Sequence, residues 1–129
     1  MVEARLHFGQ GFDGTASGER TSVPVNMDAA GFQPYELLYS ALGSCVHATF
    51  LGVAEKMRVT FDEVDYHITG IKREEIPTFL IECTMTITVK NANDQAKFDK
   101  AFDLGTKYCS VFNTIANVAT MKVHITHQN

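Results

Sequence analysis

Nothing in this chain is basic enough, apolar enough or rich enough in cysteine to assign it to several large functional classes. Lys and Arg total 11 against 15 Asp and Glu, a net charge of -4. That balance argues against general nucleic-acid binding, which needs a concentrated basic surface. No stretch reads as long and apolar enough to span a bilayer, so no membrane partner is expected. The first residues, Met1 to His7, lack the basic and apolar regions of a signal peptide, and a cytoplasmic location is the expectation. Three cysteines are an odd count and do not look like a structural disulfide framework. No two of them stand at the spacing of a zinc knuckle. There is no Gly-rich phosphate loop and no HExxH, so neither a cofactor nor a metal is expected.

What is present reads as one small domain over residues 1–129. Hydrophobic residues make up 45% and charged residues 20%. That is an ordinary globular balance with a small core, which a second copy would help to complete. Ala4, Leu6 and Phe8 alternate with Arg5 and His7, a strand pattern. Gly9 to Gly14 and Ser17-Gly18 read as turns, with a further strand over Arg20 to Val25. Pro34 suits a helix start, and helical spacing continues to about Met57. Leu38, Ala41, Leu42, Cys45, Ala48, Thr49 and Gly52 fall near one face of it. Leu37, Phe50, Leu51 and Val53 make its other faces apolar too, which marks a central helix.

Glu63 to Gly70 alternates as a strand, and Thr78 to Lys90 is the cleanest strand pattern in the chain. Phe79, Ile81, Cys83, Met85, Ile87 and Val89 form its apolar row, and the two strands read as a hairpin. Asn93 or Asp94 can cap a second helix with Phe98, Ala101, Phe102 and Gly105 inside. Ser110 can cap a third through about Val118. Met121, Val123 and Ile125 mark a last strand. The sum is an α+β domain with a mostly antiparallel sheet and one long central helix.

Two cysteines are the residues most able to carry chemistry. Cys45 lies inside the long apolar helix. Cys109 lies where one helix stops and the next begins, where backbone N–H groups can stabilise a thiolate. Cys83 sits in the apolar row of a strand, where free cysteine acts as a small buried hydrophobe. Among the histidines, His7, His67 and His124 fall on polar strand faces, and His127 reads as part of a terminal tail. His47 stands two residues from Cys45, and such helical neighbours do not face each other.

Pro34-Tyr35-Glu36-Leu37-Leu38 followed by Ala41-Leu42-Gly43-Ser44-Cys45 resembles the central-helix motif of the OsmC/Ohr family. Lys107-Tyr108-Cys109-Ser110-Val111 resembles its second-cysteine motif, and Lys72 to Pro77 resembles a segment of a less characterised OsmC-like subgroup. The resemblance implies a swapped α+β homodimer acting as a thiol-dependent peroxidase on organic hydroperoxides. It casts Cys45 as the peroxidatic thiol and Cys109 as the resolving one. It also implies re-reduction by a small dithiol or lipoyl-type partner.

Three positions depart from the pattern. Organic-hydroperoxide members place a catalytic glutamate directly after the helix-starting proline; here Tyr35 stands there and Glu36 follows, about 100° further round the helix. They also carry an arginine in the first glycine-rich turn, which Gly9 to Gly14 lacks. Ser110 replaces a proline that often follows the second cysteine. Arg20 and Arg5 are the nearest substitute cations, neither matching by motif. Arg20, near the end of the first hairpin, is the one expected to act, with Glu36 orienting it through a bidentate pair. Against this stands the plain reading of a solvated arginine and a helix-start glutamate facing the N-terminal dipole. The leading expectation is therefore an oxidative-stress peroxidase with Cys45, Cys109, Glu36 and Arg20 as its site. The alternatives are a non-peroxidase redox switch or detoxification protein, and a small-molecule-binding dimer whose cysteines merely pack.

Overall fold

The computed structural model describes residues 2–28 and 30–129, which fall into two compact units, Met1–Ser40 and Ala41–Asn129. In the first unit, β1 (Arg5–Phe8), β2 (Asp13–Ser17) and β3 (Ser22–Asn26) form an antiparallel sheet in the order β1-β2-β3. The sequence pattern had no strand at β2. Its residues, Asp-Gly-Thr-Ala-Ser, are small and do not alternate, so pairing with neighbours on both sides makes it a strand. Gly14 is required there, because a Cβ would overlap the His7 carbonyl oxygen and the Phe8 ring. Pro24 is tolerated because β3 is an edge strand.

Helix α1 (Pro34–Lys56) starts in the first unit and continues into the second. Gln33 is its N-cap, since the Leu37 N–H donates to Gln33 O at 3.1 Å. Glu36 reaches back from the first turn, and its Oε1 accepts the Gln33 N–H at 2.7 Å. That is the carboxylate half of a capping box. The helix ends at Arg58, whose φ of 57° is left-handed. The Arg58 N–H donates to Glu55 O and the Val59 N–H to Ala54 O, a Schellman ending with arginine where glycine is usual.

Contrary to the sequence expectation, α1 is by length and composition apolar enough to cross a bilayer. In the second unit one side of it is buried, not the whole circumference that a central helix implies. Leu42, Val46, Phe50 and Ala54 are buried, whereas Ala41 and Ala48, expected in the inner stripe, are exposed. A helix apolar on every side offers no periodicity to choose a face. The bulk of Phe50 decides it. Its ring packs at 4.9 Å and 5.4 Å from the rings of Phe98 and Phe102, with Phe61 at 5.6 Å.

The second unit holds a sheet in the order β4-β5-β6, built from β4 (Glu63–Lys72), β5 (Leu80–Lys90) and β6 (Thr120–Gln128). β4 and β5 pair antiparallel, as the patterns imply. β6 runs parallel to β5, because α2 (Gln95–Tyr108) and α3 (Ser110–Ala116) form the crossover between them. Asp94 caps α2, accepting the Lys97 N–H, and Phe98, Ala101, Phe102 and Gly105 are its buried stripe as expected.

The apolar row of β5 holds from Cys83 to Val89 and fails before it. The register shifts where Ile71 and Lys72 face Glu82 and Leu80, so Ile81 is an extra residue on β5. That bulge turns Leu80 inward at 4% exposure and Ile81 outward at 41%. His127 belongs to β6 and not to a loose tail. It packs edge-on to Phe98, and its Nε2 lies 2.7 Å from Asp99 Oδ1.

Gly105 sets the closeness of α1 and α2. A Cβ there would stand 3.0 Å from both Cα and Cβ of Phe50. Gly105→Val is therefore expected to lower unfolding stability by about 1–3 kcal/mol through overpacking, although valine is the better helix former. Urea unfolding checks this; unchanged stability would show that the helices separate freely.

Candidate redox-active dithiol site

α2 and α3 are joined by a single residue, Cys109. Its φ of -76° and ψ of 122° are extended, so the helix breaks and restarts within one step. Cys109 serves both ends. Its N–H donates to Thr106 O at 3.3 Å, and its Sγ accepts the Phe112 N–H at 3.4 Å. The N-cap of α3 is thus Cys109, not Ser110. The extended ψ at Cys109 makes Ser110 the first helical residue, and the thiol sulfur takes the place of a hydroxyl acceptor.

The joint brings Cys109 to Cys45. The Cys109 thiol donates to Cys45 Sγ at 3.0 Å, and both cysteines are free. Cys109 is fully buried, while Cys45 retains access to solvent. Their acidities are pushed apart. The Cys109 thiol holds the Cys45 pKa below the ordinary thiol value, helped by the Val111 N–H. Burial acts against that shift, and the hydroxyl and N–H of Ser110 act with it. Burial pushes Cys109 up first, and its hydrogen bond to Cys45 adds to the rise. The accessible sulfur is therefore the more acidic of the two, and the buried thiol is its hydrogen-bond donor. That is a nucleophile with its own proton donor. A disulfide needs about 2.05 Å between sulfurs, so closure asks for roughly 1 Å of approach.

The other candidates lie elsewhere. Cys83 is buried in β5, and burial raises its pKa, which suits an inert packing thiol. His47 Nδ1 lies 2.9 Å from the Tyr66 hydroxyl, with burial pushing the imidazole pKa down and the phenol pKa up. The pair is thus held neutral. Arg20 is exposed in the connection from β2 to β3. The Glu36 carboxylate is engaged with the Gln33 N–H, and among the described residues no ion pair joins it to Arg20. The structure brings the two cysteines together and does not bring this expected pair together. Sequence reading missed the backbone donors at Ser110 and Val111 individually, although the helix start after Cys109 signalled that such donors would be there.

A family model described as OsmC-like protein matches residues 27–124. This chain therefore belongs to the OsmC-like family. Among solved structures it resembles an OsmC-like protein from Mycoplasma pneumoniae, with a TM-score of 0.90, 19% identity and coverage of 100% of this chain and 98% of that one. It also resembles the organic hydroperoxide resistance protein OhrB of Bacillus subtilis, with a TM-score of 0.74, 15% identity and 98% coverage of each chain. An organic hydroperoxide resistance protein OsmC from Legionella pneumophila superposes with a TM-score of 0.77 at 12% identity, covering 98% of this chain and 96% of that one. No curated protein sequence matches the chain. At these identities the structural likeness establishes the fold. The family assignment supports a redox or peroxidase role at family level.

Because the Cys109 thiol is the foremost cause of the Cys45 shift, Cys109→Ala is expected to raise the apparent Cys45 pKa. A lowered pKa means that alkylation in the native chain reaches its plateau at lower pH than for an ordinary thiol of pKa about 8.5. In the variant the whole profile moves to higher pH. Iodoacetamide labelling of Cys45 across pH measures it; an unmoved profile would mean that Cys109 does not tune Cys45.

Proposed function

We propose that this chain is a thiol-dependent peroxidase acting on organic hydroperoxides, with Cys45 as the attacking thiol and Cys109 as the resolving one. The observation that carries this reading is the 3.0 Å contact between an accessible, acidified Cys45 and a buried Cys109 that donates to it. Cys45 thiolate attacks one oxygen of the O–O bond, the bond breaks, and the alkoxide leaves as an alcohol after taking a proton. Cys45 is now a sulfenic acid. The Cys109 thiol attacks its sulfur, water leaves, and a disulfide forms. A small dithiol or lipoyl-type reductant then restores both thiols by exchange. No cofactor enters this cycle. Glu36 caps α1, and among the described residues no ion pair joins it to Arg20.

A homodimer goes with this reading. Ala41, Ala48 and Leu51 leave an apolar face of α1 open in the second unit, with Leu51 44% exposed. A partner copy covering that face would bury on the order of 2,000 Å². Sedimentation is expected to give twice the 14.3 kDa chain mass, and Leu51→Glu to shift it toward the monomer. A native monomer at micromolar concentration would contradict the dimer.

A redox switch without turnover is the second reading, favoured by the lack of an ion pair between Arg20 and Glu36 among the described residues. Turnover separates the two. The chain with a dithiol is expected to consume cumene hydroperoxide catalytically. Cys45→Ser should abolish this, Cys109→Ser should slow it strongly, and Cys83→Ser should leave it near the native rate. Disulfide formation with no catalytic consumption would favour the switch.

A further inference from the structure

One side chain spans the joint that carries Cys109. Asn113 Nδ2 donates to Lys107 O at 3.0 Å and to Cys109 O at 2.8 Å. Lys107 O lies in the last turn of α2, where carbonyls lack helical donors. Cys109 O also accepts the Asn113 backbone N–H at 3.0 Å. A single residue in α3 therefore grips the chain on both sides of a one-residue break. The torsions at Cys109 decide two things at once: where its Sγ points, and where the Ser110 and Val111 N–H groups aim. A disulfide that must close by about 1 Å is sensitive to small rotations of such a joint.

We propose that Asn113 is a positioning residue for disulfide closure: its carboxamide locks the α2–α3 joint so that the Cys109 thiol faces Cys45. The inference rests on Cys45 and Cys109 acting as a dithiol, as in the proposed function, but not on a peroxide as oxidant. The carboxamide is suited to the task because both partners are carbonyl acceptors and its NH2 has two donors. A carboxylate of the same shape has none when ionised, and it would face two carbonyl oxygens. Asn113→Asp therefore removes both bonds with little change of volume, and Asn113→Ala removes them without adding charge.

The test equilibrates the purified full chain with reduced and oxidised glutathione. Two protein S–H bonds and the glutathione S–S bond break, one Cys45–Cys109 bond forms, and two glutathione thiols leave. The native chain is expected to form the disulfide. In Asn113→Ala and Asn113→Asp the equilibrium constant should fall about tenfold or more, as the loss of two hydrogen bonds that fix the geometry implies. Circular dichroism and melting of the reduced proteins run alongside. A purely structural Asn113 would lower the melting temperature and leave the constant within twofold, which would overturn the proposal. Loss of the fold in both variants would overturn it equally. A native chain that equilibrates with glutathione yet leaves cumene hydroperoxide untouched would contradict the peroxidase reading alone, while a shifted constant in the variants would still support Asn113.

Discussion

The hydrogen bond from the Cys109 thiol to Cys45 Sγ, 3.0 Å long, is the contact around which the rest of the second unit is arranged. It needs a thiol at a fixed point in space, aimed at a helix distant in sequence. The chain meets that need with a helix that breaks for one residue and resumes. Cys109 ends α2, caps α3 and faces Cys45 from a single extended conformation. Burial keeps it protonated, and its proton in turn stabilises the more exposed sulfur. The asymmetry between the two thiols thus comes from packing and hydrogen bonding.

The contact depends on how closely α1 and α2 approach. Gly105 admits the backbone of Phe50, and the Phe50 ring fills the space between Phe98, Phe102 and Phe61. Such aromatic contacts contribute about 0.5–1.5 kcal/mol each beyond the area they bury. They hold the α1 segment that carries Cys45 against the helix that leads to Cys109. Further out, the His47–Tyr66 bond ties α1 to β4.

Much of this was legible in the sequence where a pattern had one solution. The alternation from Cys83 to Val89 and the stripe of α2 became the buried rows they imply. Patterns with several solutions misled. α1 is apolar on every face, so its inner side was decided by Phe50 and not by the stripe through Ala41 and Ala48. The bulge at Ile81 reversed one end of a strand, because a register shift leaves no mark in alternation alone. β2 was hidden because its small residues bury little and depend on their neighbours for pairing. At the site, the motif around Cys109 pointed to a thiol at a helix start. The cap itself went to Cys109 rather than Ser110, since a backbone torsion decides it. Glu36 was legible as a helix-start carboxylate, and that is the contact it makes.

The central claim is that Cys45 and Cys109 form one dithiol with Cys45 as the reactive member. Its most direct measurement is peptide mapping by mass spectrometry after the reduced chain meets one equivalent of tert-butyl hydroperoxide. The account predicts a Cys45–Cys109 disulfide in the native chain, a sulfenic acid trapped at Cys45 in Cys109→Ser, and Cys83 unmodified in both. Oxygen first appearing on Cys109 or Cys83, with Cys45 still reduced, would contradict it.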